Sequence, residues 1–161
     1  MPVDSREFRT TLGHFATGIA VAATRDGKGK PLGITVNSFT SVSLDPPLIL
    51  FCLDRSAKSH RAFTTSGCFS VSVLAEGQQH LSRGFALSPL VLWDEVEHVV
   101  GTSGAPIIKN ALAWVDCRTE AIHPGGDHDI LLGRVLDLGH AGDGRPLLYW
   151  RGRYCLIDGE Q

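Results

Sequence analysis

The sequence predicts a mainly β protein, an antiparallel barrel or sandwich in one domain spanning residues 1–161, and three observations carry that expectation. Six or seven apolar or alternating runs of strand length are separated by turn residues. Only three segments, all short, carry helical spacing. There is no regular β-α-β alternation, and neither G-x-G-x-x-G nor G-x-x-x-x-G-K-[ST] occurs, which disfavours Rossmann and P-loop architectures. A chain of 161 residues falls within the ~100–200 residues usual for one domain.

The elements follow in chain order. Asp4 with Glu7 three residues on resembles a capping pair, and Phe8, Leu12 and Phe15 recur at helical spacing, so residues 5–16 read as an amphipathic helix that Gly18 ends. Residues 19–24 read as a strand, and residues 26–31 are dense in turn chemistry. Residues 33–43 form a second strand, rich in β-branched residues and polar throughout. Asp45-Pro46-Pro47 breaks it, because consecutive prolines remove two ladder donors and fix φ. The apolar run 48–53 is a strand, residues 56–66 a helix with Ser56 at its N-cap, 69–74 an alternating strand and 78–86 a short helix. Residues 87–106, around Trp93, read as a long excursion. Strands at 111–122, 130–138 and 147–157 close the chain, separated by the Gly125-Gly126-Asp127-His128 turn and the 139–146 loop.

Composition excludes several classes. The formal charge of −2 gives no bulk attraction for nucleic acid or an anionic membrane. No apolar run approaches the ~18–20 residues that span a bilayer, and the N-terminal residues lack a signal-peptide core, so the expected compartment is the cytoplasm. The four cysteines, Cys52, Cys68, Cys117 and Cys155, form no C-x-x-C pair and sit in strand-like runs, as reduced thiols serving as small hydrophobes would. His14, His60, His80, His98, His123 and His140 are scattered without metal-ligand spacing, so no metal is expected. No G-x-S-x-G elbow is present.

Three segments could carry chemistry. In residues 33–43, Thr35, Asn37 and Ser41 alternate onto one face while Ser38 and Thr40 take the other, and hydroxyls and amides on both faces must find partners or stay wet. An exposed edge strand and a strand lining a polar ligand both satisfy that pattern. Asp54-Arg55-Ser56-Ala57-Lys58-Ser59 stands where a strand hands over to a helix. It suits an ordinary N-cap, or an anion held by first-turn N–H groups with Ser56, Ser59 and Lys58. Gly125-Gly126-Asp127-His128-Asp129 sets a histidine beside an aspartate that can hold it in one tautomer.

The three segments occur in the order of a known family. Phe8-Arg9-x-x-Leu12-Gly13-x-Phe15-Ala16-Thr17-Gly18 resembles the opening of the flavin reductase-like, FMN-binding split-barrel family, which includes the reductase components of two-component flavin monooxygenases. Residues 35–48, reading TVNSFTSVSLDPPL, resemble its most recognisable signature. Phe69-x-Val71-x-Val73-Leu74, Leu81-Ser82-x-x-Phe85-Ala86, Gly104-x-Pro106, Gly126-Asp127-His128 and Pro146-Leu147-Leu148-Tyr149 follow at similar distances, so the resemblance covers residues 6–157.

The resemblance implies a homodimer of six-stranded antiparallel Greek-key split barrels that binds FMN or FAD and takes hydride from NADH or NADPH. It also implies a flavin-dependent monooxygenase as recipient of the reduced flavin. Carried over by position, Thr35, Val36, Asn37 and Ser38 would meet the isoalloxazine and ribityl chain, and Cys52, Leu53 and Asp54 would follow the flavin through backbone contacts. Ser56, Lys58 and Ser59 would take the phosphate, Phe85 would border the ring, and Gly126, Asp127 and His128 would serve the nicotinamide, His128 as the catalytic residue. Leu90-Val91-Leu92-Trp93-Asp94-Glu95 departs from the family's Phe-centred motif and leaves the choice between NADH and NADPH open. A non-catalytic flavin-binding barrel and an oxidase of the pyridoxamine-phosphate oxidase type are the alternatives on the same scaffold.

Overall fold

The structure, a computed structural model, describes residues 3–88 and 93–157. Helix α1 (Ser5–Leu12) starts under the Asp4 carboxylate, which accepts from the N–H groups of Arg6 and Glu7, both at 2.9 Å. It ends four residues earlier than the spacing predicts, because Thr17–Gly18 pairs as strand β1 with Leu148–Trp150 near the C-terminus. Nine further strands precede that one. They are β2 (Ala20–Arg25), β3 (Pro31–Val36), β4 (Thr40–Leu44), β5 (Pro47–Asp54), β6 (Cys68–Val73), β7 (His98–Val100), β8 (Pro106–Ile108), β9 (Ala113–Gly125) and β10 (His128–His140). Then come β11 (Leu148–Trp150) and β12 (Arg153–Cys155). Between β5 and β6 lies α2 (His60–Thr65), and after β6 a single 3-10 turn (Glu76–Gln78) leads into α3 (Gln79–Leu87).

Seven strands form one antiparallel sheet in the order β3-β2-β6-β9-β10-β5-β4. Its two outer strands, β3 and β4, are consecutive in sequence and joined only by residues 37–39, so the sheet must curl until its edges nearly meet. The result is a split barrel whose seam runs between β3 and β4. One strand more than the expected six appears because residues 33–43 do not form a continuous strand. Asn37 bends the chain, and short polar side chains there compete with the ladder. The predicted strand 147–157 is likewise a hairpin, turning at Arg151 and Gly152, both with positive φ. The 87–106 excursion contains β7, which pairs with β8 at and beyond its end.

Two cores sit on opposite faces of β2. Ala20 and Ala22 point toward Phe51, Leu53, Phe63, Phe69, Val71 and Leu131 inside the barrel. Ile19, Val21 and Ala23 point toward Leu81, Phe85, Trp93, Ile108 and Leu147 under α3 and the excursion. Burial on both faces explains why this strand is apolar throughout instead of alternating. Phe51 meets Phe63 and Phe69 edge to face, with ring centroids 5.6 and 5.1 Å apart. All four cysteines are free. Cys117 lies inside the barrel core, and burial, with the Asp116 charge adding to it, pushes its thiol up to about 12.

Candidate functional site

The seam gathers the predicted residues. Strand β10 pairs with both β5 and β9, and that register sets His128 opposite Asp54 on one side and opposite Gly125 on the other. Gly126 and Asp127 form the two-residue link of the β9–β10 hairpin, and Gly126 takes the positive φ of 78° that such a tight turn needs. The His128 ring therefore stands over the end of β5. A hollow of about 220 Å³ is lined there by Ile34, Thr35, Val36, Asn37, Ser38, Cys52, Asp54 and His128. An adjoining hollow of about 230 Å³ is lined by Ser56, Lys58, Ser59, Phe85 and again Ile34. Asn37 and Ser59 thus border two neighbouring hollows that share Ile34.

Within the 35–38 run the side chains are not equivalent. The Thr35 hydroxyl donates to the Ser82 carbonyl on α3 at 2.6 Å. Val36 is buried in the barrel core. The Ser38 Oγ accepts from the Cys52 N–H at 2.9 Å and lies 3.3 Å from the Cys52 carbonyl, to which it donates. Ladder pairing between β4 and β5 reaches only Leu50, so the Ser38 hydroxyl stands in for the missing strand partner at Cys52. Asn37 is exposed, and its amide has no protein partner among the described residues. The Leu53 side chain is fully buried in the core, which leaves only its backbone to face the depression.

The 54–59 segment is not the start of a helix. The Asp54 carboxylate accepts from both the N–H and the hydroxyl of Ser56 at 2.7 Å, while the Arg55 N–H donates to the Asp127 carbonyl. These bonds wind a turn, and α2 begins only at His60. Ser56 is therefore not an N-cap, and the expected first-turn donors are replaced by turn donors. Among the described residues, the N–H groups of Lys58 and Ser59 have no protein partner. Ser59 is 1 % exposed, and its hydroxyl has no hydrogen-bond partner. A buried, unpaired hydroxyl costs free energy unless something outside the chain satisfies it. Two free N–H groups, that hydroxyl and the exposed Lys58 ammonium form a donor set suited to a phosphate.

One group that spacing did not reveal holds this turn in place. Asp129, next to His128 on β10, accepts from Arg55 Nε and Nη2 at 2.9 and 2.7 Å and meets His60 Nε2 at 2.7 Å. Hydrogen bonds from Arg55, then His60, hold its carboxyl below the usual carboxylate range. The sequence signal was only a charge at an otherwise apolar strand start.

At the hairpin tip the Asp127 carboxylate lies 2.8 Å from His128 Nδ1, and that bond lowers the Asp127 pKa. Ser56 lowers that of Asp54 through its hydroxyl and its N–H. Phe85 is 1 % exposed and packs on Trp93 at 5.0 Å, so only its edge reaches the Ser59 hollow. Of the 90–95 stretch, residues 90–92 lie outside the described residues. A third hollow, of about 530 Å³, opens on the other side of Asn37 between Phe15, Thr17, Val36, Phe39 and Thr40. Among the described residues no cluster of His, Cys, Asp and Glu could hold a metal, and no helix is long and apolar enough to cross a membrane.

Comparison with known proteins gives consistent relatives. Residues 12–158 match the family described as flavin reductase like domain. The chain is 40% identical over 156 residues to the reductase subunit of a flavin-dependent monooxygenase from Rhodococcus jostii, covering 97% of this chain and 80% of that one. It is 42% identical over 151 residues to a probable flavin reductase of Rhizobium meliloti, covering 94% of this chain but only 48% of that protein, so it spans about half that relative's length. The NADH:FAD oxidoreductase of Streptomyces globisporus, solved in complex with NAD and FAD fragments, superposes with a TM-score of 0.89 at 37% identity, covering 98% of this chain and 97% of that one.

Proposed function

The chain belongs to the flavin reductase-like domain family, and from that premise we propose that it is an NADH- or NADPH-dependent flavin reductase that supplies reduced FMN or FAD to a partner monooxygenase. The observation that carries the reading is the unpaired, buried Ser59 hydroxyl beside two free N–H groups, one shared border away from Asn37 and His128. The residues fit the group: Ser56, Lys58 and Ser59 would hold the phosphate. The Asn37 amide, the one polar side chain of the 35–38 run without an internal partner, would serve the isoalloxazine, with backbone groups of Thr35, Val36 and Cys52–Asp54.

Bound flavin supplies the hydride acceptor at N5, with nicotinamide C4 as donor; the chain orients the two rings and excludes competing geometry. Gly126 gives the hairpin tip its tight turn, Asp127 fixes the His128 ring, and His128 would position the nicotinamide by accepting a hydrogen bond from it at its other nitrogen. Hydride transfer needs no strong acid here.

The chain works as a cytoplasmic homodimer in this reading. Helix α1 buries none of its residues, leaving Phe8 and Leu12 exposed, and Phe15 (77 %) and Leu44 (93 %) are exposed as well. Apolar surface of that extent is usually covered by a partner. Mixing the protein with each of the four pairs of NADH or NADPH with FMN or FAD, and following nicotinamide absorbance, tests the proposal. Turnover with at least one pair is expected; none with any pair removes the reductase reading. Yellow protein without turnover would favour a flavin-binding barrel instead, and amine-dependent oxygen uptake an oxidase.

A further inference from the structure

Strand β3 ends the seven-stranded sheet on one side, and its ladder with β2 stops at Val36, opposite Ala20. The end of an edge strand frays unless side chains hold it. Asn37, the next residue, stands between two such holds. The Thr35 hydroxyl donates to the Ser82 carbonyl, and the Ser38 hydroxyl bonds Cys52. The first hold has a support of its own, because the Ser82 and Tyr154 hydroxyls share a hydrogen bond of 3.0 Å. We propose that Tyr154 is a positioning residue for flavin reduction: through Ser82 it sets α3 and the Thr35 anchor, and through them the Asn37 amide. The inference rests on the flavin reading above.

The Tyr154 ring is fixed independently of its hydroxyl. Tyr154 lies on β12 opposite Tyr149 of β11, and the two rings meet edge to face with centroids 5.6 Å apart. Tyr149 in turn pairs with Thr17 of β1, so both ends of the chain hold the ring. The Arg83 guanidinium, from the residue after Ser82, lies 5.5 Å from the centroid of the Tyr154 ring. Both tyrosines pack against the second core, which includes Leu81 and Phe85 of α3. The phenol oxygen therefore reaches Ser82 from one place. Ser82 is buried, where a hydroxyl needs a partner.

Packing alone does not call for that oxygen. A phenylalanine ring would fill the same space against Tyr149 and Arg83, and among the described residues Ser82 is the one polar partner of the Tyr154 hydroxyl. Ser82 is also where Thr35 is anchored, so the two bonds meet at one residue of α3. Three residues on, Phe85 puts its edge into the Ser59 hollow. Tyr154, Thr35, Val36 and Asn37 line one hollow, of about 210 Å³, and the last three line the His128 hollow as well. The end of β3 is thus a partition between two hollows, with Tyr154 behind it and His128 in front. Moving the partition moves the Asn37 amide, and a misplacement of about 1 Å can cost ~10²-fold in rate. Loss of one hydrogen bond that leaves the tyrosine ring in place permits a smaller movement.

Stopped-flow reduction of FMN or FAD, whichever the protein turns over, by saturating NADH or NADPH tests this on the whole protein, alongside flavin Kd, bound-flavin absorbance and Tm. Tyr154→Phe should slow reduction about tenfold and shift the bound-flavin absorbance. Flavin Kd should stay within about threefold, because Tyr154 does not line the Ser59 hollow. Ser82→Ala should do the same, and the double variant should be no slower than either single, since all three lack the same bond. In an Asn37→Ala background, Tyr154→Phe should slow reduction no further. An unchanged rate for Tyr154→Phe overturns the inference, as do additive losses in either pair. So does a flavin affinity that falls in step with the rate and Tm, which would mark a looser fold. If the unaltered protein reduces no flavin, the reductase reading itself falls and this role with it.

Discussion

The Asp129 carboxylate takes both Nε and Nη2 of Arg55 on one oxygen, at 2.9 and 2.7 Å, and so ties the first residues of β10 to the turn that leaves β5. His60, on the other oxygen, ties the same carboxylate to α2. The geometry of the Ser56–Ser59 turn thus depends on an acid that lines neither hollow.

Asp129→Ala should therefore weaken FMN binding about tenfold, through loss of two charge-assisted contacts that position the turn, and leave riboflavin binding unchanged. Riboflavin has no phosphate, so it is blind to the turn but not to a collapsed barrel. Equal losses for both flavins, measured by fluorescence titration, would show that Asp129 holds the fold and not the cradle.

The same carboxylate gives a pH dependence with a definite sign. Its folded pKa is lowered, by Arg55 first and His60 second, so its contribution is complete above the unfolded value of about 3.9 and is lost as pH falls through the lower folded value. Asp54 and Asp127 are lowered as well, by Ser56 and His128. The melting temperature should accordingly drop below about pH 4, and the gap between the protein and Asp129→Ala should narrow there. A gap that widens on acidification contradicts the assignment.

Ser38→Ala tests the seam of the barrel. Removing its Oγ leaves the Cys52 N–H without the acceptor that replaces a strand partner. The expected cost is about 1–3 kcal/mol, or roughly 2–4 °C in Tm for each kcal/mol in a domain of this size. Calorimetry that shows no change would mean that water takes over the Cys52 amide at no cost.

Much of this arrangement was legible in the sequence, and the failures have physical causes. Apolar runs marked β2 and β5, period two marked β6, and Gly126 with Asp127 marked the hairpin tip. The break at residues 37–39 was hidden because Thr35 and Val36 before it and Thr40 and Val42 after it favour strands, whereas the bend at Asn37 leaves Ser38 to bond Cys52 on a strand no local window contains. Helix α2 was read four residues too early because Ser56 suits an N-cap locally, but Asp54 captures its N–H first. The strand β1 could not be foreseen from Thr17 and Gly18, since its only warrant is pairing with Tyr149 and Leu148 at the far end of the chain. Asp129 escaped for the same reason: its partners are Arg55 and His60, which no local window contains.

His128 can be tested through its neighbour. Asp127, held ionised, can only accept, so His128 Nδ1 donates to it across 2.8 Å and a neutral ring is left with Nε2 as an acceptor. The His128 side chain is 41% exposed and borders the Asn37–Asp54 hollow, where that nitrogen can meet the carboxamide of a nicotinamide. His128→Ala should raise the KM for the nicotinamide about tenfold and keep the Kd for flavin within about twofold. Asp127→Asn keeps the side-chain shape but no longer fixes the tautomer, so its KM should fall between those of the protein and His128→Ala. Steady-state kinetics with stopped-flow flavin binding decide the matter: a flavin Kd that rises in step with KM would place His128 against the flavin instead.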